Sequence, residues 1–115
     1  MANYATAAQV GALIDITITS TSRPTLTQMA VMLDNADGII NAFMKESTNI
    51  TDTYGILQTV ACALAHKMVH NLFHFAEPDS YEYVEVFLSE QDEKLIRRAH
   101  SVWSVLSWEM KGPGS

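Results

Sequence analysis

The stretch from Tyr54 to Phe75 constrains this chain more than any other, because as a helix it is apolar on more than one side. At 100° per residue, Leu57, Val60, Ala61, Leu64, Met68, Leu72 and Phe75 share one broad face, and Cys62, Val69 and Phe73 add a second flank. A helix of that kind sits at the centre of its bundle or of an oligomer. The remainder of the chain must therefore supply elements that wrap it.

Those elements are legible. Thr6-Ala-Ala-Gln9 and Thr25-Leu-Thr-Gln28 are capping boxes, in which a hydroxyl and an amide satisfy orphan backbone groups at a helix start. The first predicts a short helix over 7–15. After the second, Leu26, Met29, Leu33, Ala36, Ile40 and Phe43 recur at steps of three and four, with Gln28, Asp34, Asn35, Asp37, Asn41 and Lys45 between them. That is an amphipathic helix over 26–45. Gly38 inside it costs up to about 1 kcal/mol relative to Ala and points to close approach of another backbone. Asp52 or Thr53 can cap the central helix over 54–75. Ser89 begins a fourth helix over 90–110, with acids in its first turn where the helix dipole favours them. Leu95, Ile96, Ala99, Val102, Trp103, Leu106 and Met110 form its apolar stripe.

Two segments oppose helix. Residues 16–22 are β-branched and hydroxyl-rich and end before Pro24, and residues 81–88 (YEYVEVFL) are aromatic and β-branched, so both read as extended. The fold class expected is all-α, a small four-helix bundle with extended loop segments. It occupies residues 1–111 as one domain, with 112–115 as a flexible tail. Leu57, Val60, Leu64 and Met68 are expected to meet Leu33, Ile40, Trp103 and Leu106 in a single core.

Composition narrows the function. At 115 residues the chain fits one domain that can bury a core without staples. Thirteen Asp and Glu against seven Lys and Arg give −6, with Arg97-Arg98 the one adjacent basic pair. A nucleic-acid reader carries a basic face, so that class is disfavoured. The single cysteine, Cys62, lies in an apolar run and reads as a small buried hydrophobe in a reducing compartment. No apolar run approaches the roughly 20 residues of a membrane span.

Candidate chemistry is sparse. His66, His70 and His74 line one side of the central helix, and a His pair at i and i+4 can hold zinc. A Lys, not a Glu, follows His66, so the metalloprotease signature is absent and the row reads as a polar flank facing a neighbouring subunit. Metal-dependent hydrolysis by that row is the remaining catalytic possibility. No nucleophile elbow, phosphate loop or dinucleotide fingerprint occurs. Asp34 with Asp37 and Glu82 with Glu85 read as solvated carboxylates. The expectation is a protein without catalytic residues, metal or cofactor. Trp108 stands out, since it projects away from the core stripe on the side of Arg97, Ser101 and Ser104. It either folds back on its own chain or anchors an interface, and the enrichment of Trp and Arg at hot spots favours the anchor.

Tyr4-Ala-Thr-Ala-Ala-Gln-Val-Gly-Ala-Leu13, then Ser22-Arg-Pro-Thr-Leu-Thr-Gln28 leading into Asp34-Asn-Ala-Asp-Gly-Ile-Ile-Asn41, with Leu88-Ser-Glu-Gln-Asp-Glu-Lys-Leu95 opening the last helix, resembles head–tail connector (adaptor) proteins of tailed bacteriophages and related archaeal viruses. The resemblance runs over nearly the whole chain in order, length and weak motifs. It implies a virion neck protein, assembled in the host cytoplasm, that forms a homo-oligomeric ring of twelve copies. Such a ring sits under the portal protein and extends the DNA channel to the next neck or tail-completion protein. It further implies portal binding by the C-terminal end, here Trp108, Met110 and Lys111 with Arg97. Ile16, Ile18, Tyr81, Tyr83, His66, His70 and His74 are the expected contacts to neighbouring subunits or the next neck protein. Twelve copies at −6 each would place about −72 on the ring, so DNA would pass through the lumen without specific binding. The alternative is a small helical regulator or adaptor that binds one partner and forms no ring.

Overall fold

A computed structural model describes residues 3–76 and 84–111, the side chains of 74–76 and 107–111 excepted. The chain is an all-α four-helix bundle: α1 (Ala7–Leu13), α2 (Leu26–Met44), α3 (Ile56–Ala76) and α4 (Glu90–Lys111). Both capping boxes form. The Thr6 and Thr25 hydroxyls accept from the Gln9 and Gln28 backbone N–H groups, and each Gln side chain accepts in return from the cap backbone. Asp52 receives the Leu57 and Gln58 N–H groups on its two carboxylate oxygens, at 2.9 and 2.8 Å, and so caps α3. Ser89 and Asp92 exchange side-chain-to-backbone bonds of 3.1 Å at the start of α4. Each start is fixed by groups three to six residues apart, which is why the helices begin within two residues of where the sequence puts them.

As its two apolar flanks require, α3 is the hub. It touches α1, α2 and α4, and α2 touches α1 and α4, while no contact between α1 and α4 is seen among the described residues. The core holds Leu57, Val60, Leu64, Leu33 and Ile40 together with Val10, Met29, Ala36 and Ile96, and Met68 and Trp103 pack at its edge. Two residues expected inside lie outside: Leu26 is 47% exposed and Leu106 36%. Leu26 lies in the first turn of α2 and Leu106 in the last part of α4 whose side chains are described. In α4 the last of the described side chains on the core is Trp103, and Ser104, Val105 and Leu106 are exposed. The molecule measures 59 × 28 × 22 Å with a radius of gyration of 15.8 Å, against about 13 Å for a compact chain of this length.

Asp37 and Asn41 were expected on a solvated face of α2 and are instead buried. The N-terminal segment and the loop after α2 close over them. The Asn3 and Asn49 amides donate to one Asp37 carboxylate oxygen at 2.8 and 2.9 Å, and the Tyr4 N–H donates to the other at 3.3 Å. The Asn41 amide donates to Asn49 at 2.7 Å. The Tyr4 hydroxyl donates to Asn41 Oδ1 at 2.6 Å and accepts from the Ile50 N–H at 3.0 Å. Burial pushes the Tyr4 hydroxyl above its ordinary pKa, partly offset by the bond from Ile50.

The glycine expectation is also corrected. A Cβ on Gly38 would meet nothing within 4 Å, whereas one on Gly11 would lie 2.6 Å from the Ile16 carbonyl oxygen. Gly11 is where residues 14–18 cross over α1, joined by a 2.9 Å bond from the Ile16 N–H to the Gly11 carbonyl. Residues 84–88 form no strand. They run along α3, where Asn71 accepts from the Val84 N–H at 2.7 Å and donates to its carbonyl at 2.6 Å. Val86 and Leu88 pack on the core from this segment. Residues 77–83 and 112–115, including the expected flexible tail, lie outside the described residues.

Candidate functional site

Local sequence places three features on the side of the molecule that carries α1. The seven-residue helix α1 is too short to cover a full face of α2 and α3. The 16–22 segment cannot continue it as helix, so it folds back across Gly11. A cleft of about 420 Å³ opens between these pieces and the start of α2, lined by Ala7, Ala8, Ala12, Ile16, Thr17, Ile18 and Leu26. Ile18 is half-buried against the core, while Ile16, Leu26 and the neighbouring Leu13 face outward, Leu13 being 61% exposed. The cleft is mostly apolar, with Thr17 its one polar residue and no titratable group in its lining.

A second cleft, of about 220 Å³, adjoins it through Ile16. Its walls are Ile14, Ile16, Val69 and Phe73, with Arg23, His66 and His70 at the rim. The Arg23 guanidinium lies over the Phe73 ring, 5.5 Å from its centroid. Ile16 thus joins His66 and His70 in one concavity, although the sequence placed them in separate segments. Lys67, one residue on, donates to the Phe87 carbonyl at 3.2 Å and lies 4.0 Å from the Asp92 carboxylate. The first ties the 84–88 segment to α3 and the second ties α3 to α4.

The other expected site residues separate. Arg97 is exposed on α4 and stacks its guanidinium over Phe43 of α2 at 5.2 Å. One turn on, His100 meets Glu46 at 2.9 Å and stacks on Trp103. The side chains of His74, Trp108, Met110 and Lys111, and residues Tyr81 and Tyr83, lie outside the described residues.

Among the described residues no three His, Cys, Asp or Glu side chains converge on a position that could hold a metal ion. Cys62 is buried and its thiol is pushed above its ordinary pKa by desolvation, the reverse of what an attacking thiolate needs. No helix among the described residues is long and apolar enough to cross a membrane. Compared with known proteins, the chain matches no family model, no characterised protein and no solved structure.

Sequence reasoning missed Leu13, Leu26 and Arg23 as surface features. One signal for the first two was present. Residues 1–33 contain only two charged side chains, Asp15 and Arg23, although 17% of the whole chain is charged.

Proposed function

We propose that this protein is an assembly subunit, a head–tail connector that forms a ring beneath a viral portal and carries the DNA channel to the next neck or tail-completion protein. The observation that carries the assembly reading is the apolar cleft beside α1, set in a sequence segment almost without charge and flanked by the exposed Leu13, Ile16 and Leu26. Contiguous exposed apolar surface of this kind marks protein–protein contact. The order of capped helices and the connector-like motifs support the specific role. In this reading Ile16, His66 and His70 face a neighbour, and Trp108, Met110, Lys111 and Arg97 reach the portal. The acidic net charge leaves DNA in a ring lumen unbound.

The test is to mix the purified chain with the portal ring of the virus to which this reading assigns it and image the product by electron microscopy. The expected result is a collar of this protein on one rim of the portal, continuous with its channel. A chain that leaves the portal bare, or binds as an isolated copy without closing a collar, overturns the connector assignment.

A further inference from the structure

In a chain of net charge −6, basic and imidazole groups gather where the clefts meet. Arg23, His66 and His70 stand at the rim of the 220 Å³ cleft. The same two histidines, with Lys67 and Val84, border a smaller concavity of about 170 Å³. Among the described residues no Asp or Glu lines either one. Lys67 has the Asp92 carboxylate at 4.0 Å, so the cationic end is Arg23 with His66 and His70. Through Ile16 that end opens into the 420 Å³ cleft beside α1, whose lining carries no titratable group. Asp15, beside Ile16 in the chain, is not part of either lining. The result is one elongated concavity, apolar along most of its length and basic at one end.

We propose that this concavity receives an apolar segment of a partner protein whose end carries a carboxylate. The apolar residues lie over Ile16, Ile18 and Leu26, and the carboxylate meets Arg23, His66 and His70. This rests on the assembly reading above and names the chemistry that the neighbour brings.

Charge complementarity selects the carboxylate. A segment over the basic end takes water away from a guanidinium and two imidazoles. A carboxylate replaces that water with charge-assisted hydrogen bonds, about twice as strong as neutral ones. The guanidinium holds five N–H donors in its plane, so Arg23 can take a further acceptor at its edge and keep the contacts it already makes. Its face stays on Phe73, 5.5 Å from the ring centroid. A basic end on the partner would meet like charge. The open walls select a protein segment over a small molecule. Ile16 is 38% and Leu26 47% exposed, so a small amphiphile lying there would keep one side in water. Small-ligand sites bury about 70–90% of their ligand. A segment held in a larger partner brings its own cover.

Peptides of alternating leucine and serine, about four to eight residues long and ending in a free carboxylate, are the probes. The same peptides ending in an amide are the controls. Each is titrated into the isotope-labelled full chain and followed by NMR. Saturable shifts are expected at residues 14–18 and at the His66 and His70 rings, with a Kd below about 1 mM for at least one length. The amide twin should bind about tenfold or more weakly. Arg23→Gln should weaken the acid peptide about tenfold, and His66→Gln, at an exposed position, about twofold or more. Arg98→Gln changes the net charge as Arg23→Gln does, on an exposed position of α4 outside both linings, and should bind like the wild type. Circular dichroism checks the fold of each variant.

Equal binding of acid and amide would remove the carboxylate from the reading. Binding of octanoate but of no peptide would make the cleft a small-molecule site. The same shifts on concentrating the chain alone would make the occupant a second copy. Each overturns the proposal, as does an equal loss in Arg23→Gln and Arg98→Gln or no saturable shift up to about 1 mM. A bare portal in the collar experiment retires the connector reading, while peptide binding alone decides what this concavity takes.

Discussion

Removing a single oxygen from Tyr4 should cost this protein a large part of its stability. The hydroxyl is buried between α2 and the loop after it, donating to Asn41 Oδ1 at 2.6 Å and accepting from the Ile50 backbone N–H at 3.0 Å. In Tyr4→Phe the ring still fills its place, but the Ile50 N–H and the Asn41 oxygen each lose that partner away from water. An unsatisfied buried group costs about 1–3 kcal/mol. Two of them, less the small gain from a more apolar ring, give about 2–4 kcal/mol. For a chain near 100 residues each kcal/mol lowers Tm by about 4 °C or more, so the melt should fall by about 8–16 °C. Urea unfolding should show a lower midpoint with an unchanged slope, the sign that stability and not compactness has changed. Tyr54→Phe is the control, because Tyr54 is 73% exposed and its loss should stay within about 0.5 kcal/mol. A Tyr4→Phe protein as stable as that control would refute the idea that the hydroxyl clasps the N-terminus to α2.

The same residue sets a pH dependence. Burial holds Tyr4 above its ordinary pKa, so the folded state keeps the proton more tightly than the unfolded chain. Its stabilising share is complete below about pH 10 and is lost as pH rises through the folded value. Cys62, also raised by burial from 9.0, adds a loss of the same sign. Urea midpoints from pH 7 to 11 should therefore fall at the alkaline end, less steeply in Tyr4→Phe. Leu64→Ala should cost about 2–5 kcal/mol by calorimetry, since the side chain is fully buried on α3. Gly11→Ala should cost about 1–3 kcal/mol in the same assay, because its Cβ would meet the Ile16 carbonyl oxygen. Asn71→Ala should speed hydrogen exchange at Val84, whose backbone N–H it accepts, while leaving exchange in α2 unchanged. Replacing His66 and His70 with Gln should leave zinc content unchanged by elemental analysis, since no third ligand joins them among the described residues.

What the sequence determined by itself is the local part of this structure. Helix starts depend on groups a few residues apart, so Thr6, Thr25, Asp52 and Ser89 act where their neighbours predict. The 3.6-residue period likewise names the core faces of α2 and α3, and the two-sided face of Tyr54–Phe75 makes α3 the hub. Periodicity assigns a face but not how far a partner extends along it. Leu26 and Leu106 read as core, yet they are 47% and 36% exposed near the ends of their helices. Nor does it reveal what comes from afar. Asp37 and Asn41 lie on a polar face of α2, and the return of Asn3 and Tyr4, more than thirty residues away in the chain, buries them together with Asn49 from the loop after α2. The α1 cleft arises in the same way, because its walls come from three segments that meet only in the folded chain. Tertiary structure decided these points because burial is set by which surfaces meet, and surfaces distant in sequence leave no period in it.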